Sequence, residues 1–246
     1  MYYDKGIDWY SNFFDTETNY KAYGELSHDY FLEAKTAMRI YDFNPNVKLI
    51  ACLRNPADKI ISNFNYAKRT YLSDEVDFQS FFQFHEKYKK NNSHNMNKET
   101  ANYYENLYSF YELFPIENIL VVFYDDLKSN PQKFIQSIYQ FLDVDATFVP
   151  SKLNEMVNPN TASRSAFVAH FAYAVASIFR KIGLANFVGT VKRNNFFNSI
   201  LYRNTKSVEK KILTQKEKEM VDAYYKSAYP KLEKLIEKAI PKAWND

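Results

Sequence analysis

"KLIACLRNPADKIISNF" (48–64) is the stretch on which the reading of the fold turns. Its opening belongs to "VKLIACL" (47–53), a short and nearly continuous apolar run of the kind expected for a strand covered on both faces. The run stops at a permanent cation, Arg54. Asn55 and Pro56 then prepare a helix start, and a helical pattern follows. "NILVVFY" (118–124) is a second run of the same kind.

Helical patterns surround both runs. "DYFLEAKTAMRIYDFNP" (29–45) is stopped by Pro45, and in "NKETANYYENLYSFYELFP" (97–115) Tyr103, Leu107, Phe110, Tyr111 and Phe114 recur at helical spacing before Pro115. In "SNPQKFIQSIYQFLDV" (129–144) Asn130 is a candidate N-cap and Pro131 suits the first helical position. Phe134, Ile138, Phe141 and Leu142 form an apolar stripe there. Strands alternating with helices predict an α/β fold with a central parallel sheet flanked by helices. Two strands make only part of such a sheet, so it is expected to be incomplete on its N-terminal side.

The rest of the chain is read more coarsely. "FHEKYKKNNSHNMNKET" (84–100) reads as a mobile, solvated connection, with a substrate-covering segment as the alternative. "AFVAHFAYAVASIF" (166–179) contains His170, ends at Arg180 and is too short to span a bilayer, so it reads as a packed or interfacial helix. From about residue 160 the pattern is helical and basic. It ends in one amphipathic helix around "QKEKEMVDAYYKSAYPKLEKLIEKAI" (215–240).

Composition narrows the function classes. Hydrophobic residues make up 46% of 246, enough for one sizeable core with or without a helical extension. Only 4 glycines occur, and neither G-x-x-x-x-G-K-[ST] nor G-x-G-x-x-G is present. A net charge of +3 permits an anionic ligand without the basic stripe of a nucleic-acid binder. The single Cys52 excludes an intrachain disulfide and a multi-cysteine zinc site, and the 4 His lack an H-E-x-x-H pattern, so no metal is expected. Met1 leads straight into "MYYDKGIDWY" with no signal-peptide pattern, so the expectation is a soluble cytoplasmic protein without a membrane span.

Arg54 stands where ligands bind in open α/β sheets, beyond the carboxyl end of a strand. A helix N-terminus after it offers backbone N–H groups and partial positive charge, and guanidinium adds a fork of donors matched to phosphate. Ser62, eight positions on, can donate a hydroxyl, and would fall in the first helical turn if the helix began nearer Lys59. The alternative is an arginine paired with a carboxylate and a serine facing water.

"LRNPADKIISNF" resembles the 3′-phosphate-binding motif of sulfotransferases that use 3′-phosphoadenosine 5′-phosphosulfate (PAPS), in which an Arg after a strand and a Ser eight residues on hold that phosphate. Arg54 and Ser62 match the pair. "KGIDWYSNFF" (5–14) resembles the K-G-[IL]-x-W-Y segment of the heparan-sulfate-type and related bacterial enzymes. "ENILVVFYDDLKSNPQKFIQSIYQFLDV" (117–144) resembles their strand, Y-[ED]-D-L turn and helix. "VNPNTASRS" (157–165), with its Arg164 and Ser165, and the stretch from Leu213 to Trp244 resemble the family's C-terminal region. The resemblance runs over most of the chain. It implies one sulfotransferase-like domain over 1–246, with PAPS as co-substrate and a hydroxyl or amine on a small molecule or carbohydrate as acceptor.

Family members carry a K-x-G-T-T donor loop and a K-E-x-x-F-F segment, whose Glu is the base in the heparan-sulfate enzymes, ahead of K-G-[IL]-x-W-Y. Here that segment starts at Lys5, so the first strand, donor loop and base are expected to be missing and transfer by this chain alone to be slight or nil. "GELSHDY" (24–30) resembles the E-K-[ST]-P-x-Y segment bordering the acceptor site, with Leu26 in place of the Lys and His28 in place of the Pro. Glu25 and His28 are the candidate acid/base groups, against a plain structural reading of both. Trp9, Tyr10, Asp125, Asp126 and Cys52 read as packing or bracing residues. The competing function is a non-catalytic nucleotide-binding or partner-binding remnant.

Overall fold

The computed structural model describes residues 5–14, 18–27, 30–70, 77–84, 98–154, 162–163, 202–203 and 212–245. They fall into two compact units. One comprises Met1–Arg54, Tyr103–Leu153 and Lys231–Pro241; the other comprises Asn55–Asn102, Asn154–Pro230 and Lys242–Asp246. The segments read as 166–179, the Arg164–Ser165 pair, His28 and most of the 84–100 connection lie outside the described residues.

The first unit holds the two expected strands. β1 (Leu49–Leu53) and β2 (Ile119–Phe123) run parallel, from Leu49 opposite Ile119 to Leu53 opposite Phe123. A parallel pair needs a crossover, and the chain between them supplies helices. α2 (Ala34–Phe43) packs against α5 (Tyr103–Leu113), and Tyr41 meets Phe114 edge-on at 5.3 Å. α2 stops at Asn44 because Pro45 follows. α6 (Tyr124–Ser129) leaves β2 directly, with Asp125 and Asp126 in its first turn, where their charge suits the helix dipole. α7 (Pro131–Leu142) begins as its sequence requires: the Asn130 side chain accepts the Lys133 N–H and Pro131 takes the first position. Both helices lie against β2. α1 (Gly6–Ser11) starts at a left-handed Gly6, φ 79°, a conformation a side chain would strain.

The two strands are not covered alike. Val121, Val122 and Phe123 of β2 are buried. In β1 Leu53 is buried, but Ile50 is 40% exposed and Cys52 is exposed. The expected burial on both faces thus holds for β2 and fails on one face of β1, because an apolar run does not tell which face has a neighbour. Cys52 is correspondingly not a core residue. Native protein should label at one thiol with a maleimide without denaturant; labelling only after unfolding would contradict this exposure.

The second unit is helical. α3 (Pro56–Thr70) buries Ile60, Phe64 and Ala67, one face at helical spacing. Phe64 meets Phe78 and Phe81 of α4 (Phe78–Phe84) edge-on at 5.5 and 5.3 Å. β3 (Ala162–Ser163) and β4 (Tyr202–Arg203) form a short antiparallel pair. α8 (Gln215–Tyr225) opens with a reciprocal cap between Thr214 and Glu217 and packs on α3. Its Tyr225 hydroxyl donates to the Lys98 carbonyl at 2.6 Å.

The single C-terminal helix expected over 215–240 is interrupted. A 3₁₀ turn, Lys226–Ala228, separates α8 from α9 (Tyr229–Ile236). Pro230 explains the break: it has no N–H to give and its ring crowds the carbonyl of residue 226.

Candidate active site

Arg54 is the last residue of the first unit before the chain enters the second, one residue beyond the carboxyl end of β1. Two tyrosines of its own unit hold it. The Tyr103 hydroxyl donates to the Arg54 carbonyl at 2.7 Å and accepts from the Arg54 N–H at 3.3 Å. The guanidinium lies over the Tyr124 ring, 5.3 Å from its centre, a cation–π contact. Tyr124 directly follows Phe123, so this contact extends the parallel register by one residue, Arg54 beside Tyr124.

In the second unit, Asn55 caps α3. Its side-chain oxygen accepts the N–H of Ala57 at 2.9 Å and of Asp58 at 3.3 Å, and its carbonyl accepts that of Lys59. The free amides expected to greet a phosphate are therefore partly taken by the protein itself. α3 begins at Pro56, not near Lys59, so Ser62 lies in the second turn. Its side chain sits on the exposed face, while its neighbour Asn63 turns to the buried Thr100 at 3.3 Å.

Glu25 is exposed in the first unit and accepts hydrogen bonds from the hydroxyls of Tyr30 and Tyr10. Burial first, then this carboxylate, raises the pKa of both phenols, so they stay protonated donors at neutral pH. The arrangement ties α1 to the Tyr30–Leu32 turn and leaves Glu25 only part of its acceptor capacity.

Tyr103 and Tyr124 were the residues that sequence reasoning did not single out as functional. For Tyr103 a signal existed: a hydroxyl on a mostly hydrocarbon stripe must find a partner if buried. For Tyr124 the signal needs the strand register.

The family profile of the sulfotransferase domain matches residues 2–232. Heparan sulfate glucosamine 3-O-sulfotransferase 5 from Homo sapiens is 26% identical over 147 residues, 58% of this chain and 42% of that protein. Sulfotransferase 1A1 from Mus musculus is 28% identical over 97 residues, 39% of this chain and 31% of its own length. The chain thus spans less than half the length of these curated relatives. The crystal structure of a sulfotransferase from Alicyclobacillus acidocaldarius superposes with a TM-score of 0.65 at 18% identity, covering 98% of this chain and 75% of that one, which shows the shared fold. Since the domain profile runs almost from end to end, over the parallel strand pair and the arginine that follows β1, the chain belongs to the sulfotransferase domain family.

Proposed function

We propose that this protein binds PAPS and transfers its sulfuryl group to a hydroxyl or amine of a small-molecule or carbohydrate acceptor. Arg54 and Ser62 hold the donor's 3′-phosphate. One observation carries the reading: an arginine at the carboxyl end of a strand, in a chain matched by the sulfotransferase domain over residues 2–232. The fit to a phosphate is chemical. Guanidinium stays charged, presents its donors as a planar fork, and is steered here by a fixed backbone and an aromatic face.

The donor supplies an activated sulfuryl group on a phosphate leaving group. The acceptor oxygen or nitrogen forms a bond to sulfur as the sulfur–oxygen bond to the 5′-phosphate breaks. The acceptor's proton passes to a base, and adenosine 3′,5′-bisphosphate is released. Sulfuryl transfer, like phosphoryl transfer, depends on in-line positioning, and Arg54 contributes by fixing one end of the donor. Glu25 and His28 remain the proposed acid/base candidates. Glu25 must share its carboxylate with two phenols to serve.

The test pairs binding with turnover. Residues 1–246 are incubated with PAPS labelled at sulfur and with heparan-type oligosaccharides, simple phenols and amines. Labelled acceptor supports the whole reading and overturns the expectation that this chain alone transfers little or nothing. Binding of adenosine 3′,5′-bisphosphate with no labelled product supports the donor site and makes the chain a binding module. Neither binding nor transfer sinks the proposal.

A further inference from the structure

We infer that Tyr103 is a positioning residue for Arg54, its buried phenol fixing the arginine's backbone so that the guanidinium is held where the 3′-phosphate binds. The inference rests on the reading of Arg54 proposed above. Leu53 is the last β1 residue paired with β2, opposite Phe123. At Arg54 the strand ladder ends, and a residue leaving a strand has an N–H and a C=O to satisfy. One hydroxyl meets both needs: it donates to the Arg54 carbonyl at 2.7 Å and accepts from the Arg54 N–H at 3.3 Å. The two bonds place both backbone groups on the same side, as a neighbouring strand would.

The choice of tyrosine supports this role. Tyr103, Leu107, Phe110 and Phe114 form the buried stripe of α5 and its end, each at most 5% exposed. Hydrophobic packing alone would be served by phenylalanine at 103, since burying a hydroxyl is unfavourable unless it is bonded. Among the stripe's fully buried members only this one carries a hydroxyl, Tyr111 being half-buried, and it reaches back 49 residues to the arginine. α5 thereby sets the geometry of a strand end far away in sequence. The Arg54 backbone is fixed by Tyr103 and its guanidinium rests on Tyr124, so less freedom remains to be lost when an anion binds.

The experiment is a double-mutant cycle on the full chain: parent, Tyr103→Phe, Arg54→Ala and both together. Each is titrated calorimetrically with adenosine 3′,5′-bisphosphate and with adenosine 5′-monophosphate. The readout is the affinity ratio of the two ligands, which general loosening would not move selectively. Tyr103→Phe is expected to lower the ratio about 3- to 10-fold, the worth of a typical net hydrogen bond. It should barely change binding of the monophosphate, and should add nothing in the Arg54→Ala background. An unchanged ratio in Tyr103→Phe, while Arg54→Ala collapses it, overturns this inference and spares the site. An unchanged ratio in Arg54→Ala removes the site reading, and this inference with it. Equal weakening of both ligands assigns Tyr103 to packing only. Far-UV circular dichroism checks folding, with trimethylamine N-oxide added to favour the compact state if Tyr103→Phe is marginal. A variant that stays unfolded even then makes Tyr103 a fold determinant and overturns the positioning role.

Discussion

Arg54→Ala is expected to erase most of the preference for adenosine 3′,5′-bisphosphate over adenosine 5′-monophosphate, a change of about ten- to a hundredfold. The two ligands differ by one phosphate, so their ratio isolates whatever holds it. A hydrogen bond to a charged group is worth about 1.5–3 kcal/mol, which converts to that range. Arg54→Lys should recover only part, because an ammonium keeps the charge but not the planar fork or the stacking of guanidinium on Tyr124. Ser62→Ala should weaken the ratio less than Arg54→Ala, since Ser62 is exposed and water competes for its hydroxyl. The fold should survive Arg54→Ala, because a cation–π interaction such as that with Tyr124 is worth about 0.5–1 kcal/mol at a partly exposed site. Equal binding of both ligands to the parent, or an unaltered ratio in Arg54→Ala, would show that the phosphate is held elsewhere.

Trp244→Ala should lower stability by about 3–5 kcal/mol, the range for truncating a buried aromatic. Trp244 lies near the end of the chain, a place where segments are often loose. Here the indole is 2% exposed and its ring lies 6.0 Å from that of Tyr229 within the same unit. The adjacent Ala243 carbonyl accepts from the Asn55 side chain at 3.5 Å, so the C-terminal turn also touches the residue that caps α3. Against a typical total of about 5–15 kcal/mol, the loss is a large share. A thermal midpoint lower by about 10 °C is expected for a chain of this size. A shift under about 2 °C, read by circular dichroism, would mean that the indole's burial adds little. Trp244→Phe should cost less, because most of the buried ring is kept.

Much of the fold is legible in the chain because it is written in local chemistry. Two apolar runs of strand length, separated by helical periodicity, are enough for a parallel pair, and β1 and β2 are that pair. Pro45 ends α2, and Asn130 with Pro131 opens α7, because ring geometry and side-chain caps act within a turn of the residue that carries them. The break at Pro230 is equally local: apolar periodicity over 215–240 favours one helix, and the missing N–H prevails over it.

The site is different. An apolar run cannot say which of its faces is covered, so the exposure of Cys52 follows from neighbours and not from the run. That Asn55 occupies two amides of α3, that Glu25 is shared by two phenols, and that Tyr103 grips Arg54 from 49 residues away are matters of where elements meet. By itself the sequence determined the strand pair, the end of α2, the start of α7 and the cation at the strand's end, since each depends on short-range sterics and backbone bonding. Tertiary structure alone decided what holds that cation in place, because a hydrogen bond between distant segments depends on packing register, which no local period records.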